Sequence, residues 1–178
     1  EAALQREVRF ANDANCFSLS EATDGAATGA KTVFGVILGT GTGGGLVVNG
    51  QLLEGANSIA GEWGHNSLPW PEPDEQPGPV CYCGRHGCIE TVLSGPGWLQ
   101  RHNEQSRQNL TSVEALIGAA SNGDEACAMS LLRYKHRLAR ALAHVINIFD
   151  PEVIVLGGGL SNISSLYEDV PALWQEWV

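Results

Sequence analysis

Apolar residues along the chain follow two patterns, short continuous runs and a spacing of three to four. The continuous runs Val33 to Leu38 and Val153 to Leu156 predict buried strands. The three-to-four spacing predicts a long helix over 125–149 that Asp124 caps. Further helices are predicted over residues 14–22, 113–120 and 166–178, with Asn12 or Asp13 capping the first and Thr111 the second. A short strand end is predicted over residues 8–10.

Glycine and proline divide these elements. Asn49-Gly50 between two apolar runs predicts a hairpin, because both turn positions accept a positive φ. The run 39–45 is therefore predicted to be a glycine loop that joins two strands. A dinucleotide fingerprint or a Walker-type loop runs from strand into helix, so this arrangement argues against both, and no Gly-Lys-Ser/Thr ending is present. Five prolines within 69–79 predict an exposed loop.

Composition and charge narrow the class of protein. The chain has 178 residues, of which 43% are hydrophobic and 17% charged, as in one ordinary globular domain. The formal net charge of -10 and the absence of a basic run argue against direct nucleic-acid binding. The longest apolar stretch is far shorter than the roughly 20 residues that span a bilayer, so no membrane association is expected.

The cysteines give the sharpest chemical signal. Three of the five, Cys81, Cys83 and Cys88, crowd together in the segment Cys-Tyr-Cys-Gly-Arg-His-Gly-Cys. With His65 they would supply the three thiolates and one imidazole of a tetrahedral structural zinc site; the alternative is free core cysteines with His65 or His86 only hydrogen-bonded. His86 is an alternative fourth ligand, but it lies between two ligands where coordination would strain the loop. This cysteine usage predicts a reducing, cytoplasmic setting.

Each of the other candidate polar residues and glycine segments has two possible interpretations. Asp13 could act as a general base, although spacing alone favours a plain helix cap. Glu62 and Glu90, beside the cysteine segment, could each accept hydrogen bonds from a polyol, or be solvated surface acids. The glycine segments 41–45 and 157–159 each follow an apolar strand, which suits a nucleotide triphosphate but also tight turns.

Taken together, these motifs resemble the ROK family of sugar kinases and sugar-responsive repressors. The resemblance rests on two segments, Gly-Thr-Gly-Gly-Gly through Gly-Glu-Trp-Gly-His at 41–65 and Cys-x-Cys-Gly-x-x-Gly-Cys-x-Glu at 81–90. It implies an α/β, actin-like ATPase (ribonuclease H-like) fold, mostly its second lobe. The motifs at 12–16, 60–66 and 150–159 look most like bacterial fructokinases of the manno(fructo)kinase type.

The resemblance also implies roles for single residues. Asp13 would be the catalytic base that takes the proton from the 6-hydroxyl of the sugar, fructose in the first instance. Mg²⁺ would bridge the phosphate oxygens of ATP, and Zn²⁺ would be structural. The implied sugar ligands are Asn12, Glu62, His65 and Glu90, and the implied nucleotide contacts are Thr40, Gly41, Thr42, Gly158 and Gly159.

One departure from the family pattern bears on the organisation of the chain. The N-terminal Asp-x-Gly-Gly-Thr phosphate loop of these kinases is absent, so we expect residues 1–28 to be the end of a first lobe and 29–178 a second lobe with the zinc loop at 65–88. Catalysis by these residues alone is then doubtful, because domain closure assembles the site. A sugar-responsive repressor with its DNA-binding module outside this chain is the alternative function. A homodimer is expected from the resemblance and the apolar long helix.

Overall fold

The structure is a computed structural model that describes residues 4–8 and 10–178. Within these residues the chain forms a mixed α/β fold. The helices are α1 Asp13–Thr23, α2 Glu90–Leu93, α3 Gly95–Ser106, α4 Val113–Ser121, α5 Glu125–Phe149 and α6 Leu166–Trp174. The strands are β1 Thr32–Leu38, β2 Thr42–Val48, β3 Gln51–Leu52 and β4 Val153–Gly157, and 3₁₀ turns lie at Trp63–His65, Pro73–Glu75 and Gly159–Asn162.

The four strands form one sheet in the order β3-β2-β1-β4. Strand β1 pairs antiparallel with β2 and parallel with β4, so both predicted buried strands lie side by side in the sheet. The hairpin between β2 and β3 turns at Asn49 and Gly50, whose φ angles are 50° and 73°. Those positive angles confirm the predicted Asn-Gly turn.

The two faces of the sheet bury different partners, because side chains of a strand alternate in direction. Phe34, Val36 and Leu38 of β1 belong to the large core that α2 to α6 cover. Val33 belongs to a smaller core on the opposite face with Val47 of β2. Helix α1 packs on this second face, so the sheet is a layer between α1 and the other helices.

Helix α1 lies close to the sheet because glycines line its path. A Cβ at Gly35 would collide with the Ser18 hydroxyl, and one at Gly45 would lie 2.8 Å from the Ala14 carbonyl oxygen. The predicted glycine loop over 39–45 is therefore wrong in its second half, since β2 begins at Thr42. Gly43 to Gly45 are strand residues that make room for a helix.

The long helix α5 is as predicted. The Asp124 side chain accepts a hydrogen bond from the backbone N–H of Cys127 at 2.9 Å and caps its start. Tyr134, fully buried, stacks on Trp98 of α3 with ring centroids 4.2 Å apart. Its hydroxyl donates to the Leu93 carbonyl at 3.1 Å. Helix α5 thus anchors α2 and α3, the elements that follow the cysteine segment.

Other expectations need correction. Helices α2 and α3 were not predicted, because Gly95-Pro96-Gly97 is typical of a loop; here Pro96 occupies the first turn and Ser94 caps it. The ends of three other predicted elements also differ. Ser112, not Thr111, caps α4, and α6 ends at Trp174 rather than running to the last residue. Of the strand predicted at residues 8–10, residue 9 lies outside the described residues, and its two neighbours are in no strand.

The proline segment is more tightly held than an exposed loop. The Glu75 carboxylate is buried and pairs with Arg137 at 2.7 Å and Arg140 at 2.8 Å, both buried on α5. Burial alone would raise the pKa of Glu75, but hydrogen bonds from Arg137, the Glu72 backbone and Arg140 bring this pKa below its ordinary value. One carboxylate between two guanidiniums therefore fixes this segment to the helix.

Candidate active site

A cleft of about 390 Å³ opens at the end of the sheet where β1 passes into β2. It brings together most of the polar residues singled out from the sequence. Its lining includes Asn12, Asp13, Thr40, Gly41, Thr42, Glu62, His65, Tyr82 and Glu90. Residues that are far apart in the chain thus share one site.

The start of α1 places Asn12 and Asp13 in this cleft. The Asn12 side chain accepts a hydrogen bond from the Asn15 backbone N–H at 3.1 Å and so caps the helix. Asp13 is exposed, and its Oδ1 accepts from the Ala14 backbone N–H at 2.9 Å. One carboxylate oxygen of Asp13 is thus held by the helix end, and the other can accept a proton from a ligand in the cleft.

Two glycines place Glu62 and His65. A side chain at Gly61 would collide with the Gly44 carbonyl oxygen, and one at Gly64 with the Thr42 carbonyl oxygen. Between them Trp63 is buried, with its ring edge-on to Phe34 at 5.5 Å. The segment therefore lies directly on the β2 backbone and turns the two polar side chains into the cleft.

Glu90 connects the cysteine segment to the sheet. It is the first residue of α2, and its Oε2 accepts a hydrogen bond from the Thr42 backbone N–H at 3.0 Å. On the other side of the cleft, the Asn12 amide donates to Glu62 Oε1 at 3.5 Å. The carboxylates of Asp13, Glu62 and Glu90 make the cleft acidic, which suits a neutral polyol that donates hydrogen bonds.

Tyr82 is a cleft residue that sequence reasoning missed. Its hydroxyl lies 2.9 Å from His65 Nε2, and the two rings meet edge to face at 5.0 Å. The negative charge of Glu90 raises the pKa of Tyr82, so the phenol stays protonated. Its position between two candidate ligands, Cys81 and Cys83, was the signal that could have identified it.

The predicted metal ligands converge. One ligand atom from each of His65, Cys81, Cys83 and Cys88 lies within 4.8 Å of the others. His65 Nδ1 faces this group, 3.5 Å from Cys81 Sγ. His86 is not a member; its Nδ1 lies 3.4 Å from the Gly78 carbonyl oxygen. The structure thus separates the two histidines that the sequence left as alternatives.

The donor set fits zinc. Three sulfurs and one imidazole nitrogen are the ligands that a closed, tetrahedral zinc site uses. Hydrogen bonds from the Arg85 backbone and side chain lower the pKa of Cys83 to about 6, which favours the thiolate that binds a metal. Burial raises the pKa of Cys88. A cation in the middle of the group would stabilise both cysteines as thiolates.

A second groove, of about 400 Å³, continues from the first and shares Thr40 with it. Helices α3 and α4 begin at its edge. Gly159 lines this groove, whereas Gly158 lines neither this groove nor the first cleft. Gly158 has a φ of 82° and packs on the Leu38 backbone, so it shapes the turn after β4. The lining from α3 and α4 was not predicted from the sequence.

The fold and the cleft described above define the class of this protein. The chain belongs to the ROK family, whose model matches residues 1–178. The chain is 43% identical over 174 residues to an N-acetyl-D-glucosamine kinase of Yersinia enterocolitica. That match covers 94% of this chain and 56% of the kinase, so the chain spans little more than half the length of this curated relative.

Solved structures share the fold. A ROK hexokinase from Thermus thermophilus superposes with a TM-score of 0.86 at 30% identity, over 99% of this chain and 57% of that one. A ROK family transcriptional regulator, a homologue of the E. coli MLC protein, superposes with a TM-score of 0.78 at 28% identity, over 94% and 43% of the two chains. The actin-like α/β fold expected from the resemblance is therefore confirmed. The fructokinase type is not confirmed.

Within the described residues, none of the helices combines the length and the hydropathy that a membrane span requires.

Proposed function

We propose that the protein to which this chain belongs is an ATP-dependent hexose kinase. One observation carries the proposal: a single cleft holds Asp13, two further carboxylates, His65 and the turn between β1 and β2. Phosphoryl transfer to an alcohol needs a base beside the acceptor hydroxyl, groups that orient the sugar and a cradle for the phosphates. The cleft contains candidates for all three.

Asp13 is the proposed catalytic base. Its first oxygen is held by the Ala14 N–H, so the carboxylate has a fixed orientation at the start of α1. The second oxygen accepts the proton of the 6-hydroxyl as that oxygen attacks the terminal phosphate. The proton moves to Asp13, and the bond to the leaving nucleotide breaks.

Asn12, Glu62, His65 and Glu90 are the proposed sugar ligands. Each carboxylate accepts from hydroxyl groups, and His65 presents Nε2 to the cleft while Nδ1 faces the sulfurs. Glu90 Oε2 is already bonded to the Thr42 N–H, so its other oxygen is the one open to a ligand. This arrangement fixes the register of the sugar relative to Asp13.

Thr40, Gly41 and Thr42 are the proposed phosphate contacts, with Gly159 beside the nucleotide and Gly158 shaping the turn that carries Gly159. Thr40 lies in both clefts, so a triphosphate that passes it would reach from the second groove to the sugar. Mg²⁺ on the phosphate oxygens would neutralise their charge in a cleft that already holds three carboxylates. The division into a lobe end at 1–28 and a second lobe at 29–178 remains part of the proposal.

The zinc site is proposed to be structural. Four protein ligands leave no open coordination position, so the metal would clamp the segment that carries Glu90 and His65 rather than activate water. The sugar ligands then depend on the metal for their position, and not for their chemistry.

Two hexoses are candidates. The sequence motifs favour fructose, and the similarity to N-acetyl-D-glucosamine kinases favours N-acetyl-D-glucosamine. The test incubates the full-length protein with ATP, Mg²⁺ and each sugar in turn and measures ADP release. Turnover with one hexose supports the proposal and identifies the substrate.

Asp13→Asn in the full-length protein is the matched variant. It keeps the size and the hydrogen bond to Ala14, but it cannot take the proton, so turnover should fall by about 10²–10⁴-fold while hexose binding persists. Binding of hexoses without ADP release by the unmodified protein would favour the repressor alternative instead.

A further inference from the structure

We infer that the Tyr82 hydroxyl occupies, in the sugar-free cleft, the position at His65 Nε2 that a substrate hydroxyl takes, so that the sugar must displace Tyr82 to bind. The inference rests on the proposed hexose site and deepens it. It makes Tyr82 an internal competitor that weakens hexose affinity.

The His65 ring has two differently occupied sides. Nδ1 lies 3.5 Å from Cys81 Sγ and faces the sulfur cluster, and Nε2 lies 2.9 Å from the Tyr82 oxygen and faces the cleft. A neutral imidazole that uses the Nδ1 lone pair for a metal carries its proton on Nε2. Nε2 is then a donor, and it requires an acceptor oxygen in the cleft. With a metal on Nδ1, the Tyr82 hydroxyl would be that acceptor.

The phenol offers the same groups as a sugar hydroxyl. Its oxygen can accept from a protonated His65 Nε2, and its own proton can then be donated toward the carboxylates that line the cleft. A hydroxyl of a hexose would use the same pair of interactions. Two oxygens cannot occupy one hydrogen-bond position 2.9 Å from a single nitrogen, so the two groups exclude each other.

Little else holds the Tyr82 side chain in place. It is 82% exposed, and its described contacts are the hydroxyl contact and the edge-to-face ring contact with His65. Rotating it out of the cleft therefore costs about one hydrogen bond and one exposed ring contact, and no buried core. When a site is partly filled by its own side chain, the observed dissociation constant equals the intrinsic one divided by the fraction of molecules in which the site is unfilled.

The test is Tyr82→Phe in the full-length protein, which keeps the ring and removes the competing hydroxyl. Hexose dissociation constants are measured by titration calorimetry with fructose and with N-acetyl-D-glucosamine. The loss of one net hydrogen bond predicts binding that is about twofold to tenfold tighter than in the unmodified protein. Bound zinc and thermal midpoint should be unchanged.

Tyr167→Phe is the matched control. Tyr167 is also more than half exposed, its hydroxyl donates to the Ser161 carbonyl at 2.9 Å, and it lines neither cleft. Its hexose dissociation constant should stay at the unmodified value. Tightening in Tyr82→Phe alone supports the inference.

Unchanged or weaker hexose binding in Tyr82→Phe overturns the inference and leaves the kinase proposal intact, provided that the unmodified protein releases ADP with a hexose. Failure of the unmodified protein to bind or phosphorylate either hexose removes the proposed function, and the inference with it. The two failures are therefore distinguished by the unmodified protein.

Discussion

Glu90, two residues after Cys88 at the start of α2, accepts a hydrogen bond from the backbone N–H of Thr42 on β2 at 3.0 Å. A Cβ at the neighbouring Gly41 would lie 2.9 Å from the same carboxylate oxygen. The candidate sugar site and the candidate phosphate turn are thus joined by one carboxylate. A substitution at Glu90 should weaken sugar binding more than nucleotide binding.

Glu90→Gln in the full-length protein tests this relationship. The glutamine carbonyl can still accept from Thr42, so the turn is kept, but the charged acceptor proposed for the sugar is lost. The KM for the hexose should rise by roughly tenfold to a hundredfold, and the KM for ATP should stay within about twofold. Steady-state kinetics with each substrate varied in turn measure both.

The control for this variant is Glu176→Gln, which removes the same charge from an exposed residue outside both clefts. It should leave both KM values unchanged. A rise in the KM for ATP as large as that for the hexose would contradict the assignment of Glu90 to the sugar.

Cys83→Ser should release the metal. Serine lacks the soft thiolate that zinc prefers, and loss of one of four ligands leaves an incomplete tetrahedral shell. We expect zinc measured by atomic absorption to fall well below one equivalent, and hexose affinity to fall with it. Cys16→Ser, at an exposed position outside the cluster, should keep full zinc. Full zinc in Cys83→Ser would refute this ligand set.

Gly45→Ala should destabilise the fold by pushing α1 off the sheet. The new methyl group would meet the Ser18 hydroxyl and lie 2.8 Å from the Ala14 carbonyl oxygen. Overpacking of this kind costs about 1–3 kcal/mol of unfolding free energy, measured by chemical denaturation. Gly118→Ala in α4 has open space and should stabilise by up to about 1 kcal/mol. Equal effects of the two substitutions would rule out close packing as the cause.

Glu75→Gln should leave Arg137 and Arg140 buried without a counter-charge. Breaking a buried pair by removing one partner costs about 3–5 kcal/mol, whereas Asp74→Asn, which breaks the exposed pair with Arg133, should cost at most about 1 kcal/mol. Denaturant unfolding of the three proteins at neutral pH measures the difference.

The lowered pKa of Glu75 predicts that the stability of the fold depends on pH. The pKa of Glu75 in the fold lies below its ordinary value of 4.5, so its contribution to stability is present above pH 4.5 and is lost as the pH falls through the lowered pKa. Stability of the unmodified protein should therefore decline below pH 4.5 more steeply than that of Glu75→Gln. Parallel declines would show that Glu75 is not responsible.

Local pattern predicted the elements that carry a clear apolar signal. Strand β1 is one continuous apolar run and helix α5 has apolar positions three to four residues apart, and the predicted bounds of both match the structure within one residue. The convergence of His65 with Cys81, Cys83 and Cys88 was also predictable, because zinc ligands have characteristic types and spacing.

Other features depend on contacts between distant residues and were not readable from local pattern. The glycines of β2 resemble a loop until α1 is placed on them, and Glu75 resembles a surface acid until α5 brings two arginines to it. In the sequence Tyr82 is simply the residue between two cysteines, and only the fold brings its hydroxyl to the His65 ring. In each case a tertiary neighbour overrides the local preference.

Tyr82 stands between Cys81 and Cys83, so a bound metal would hold the backbone on both sides of it. The phenol can then leave the cleft only by turning about its own side-chain bonds, without any hinge in the main chain. Rotations of exposed side chains take picoseconds to nanoseconds, whereas loops that open as lids take microseconds to milliseconds. Tyr82 would therefore lower the affinity for sugar without slowing the arrival of sugar, and the cleft would clear as fast as a ligand can diffuse into it.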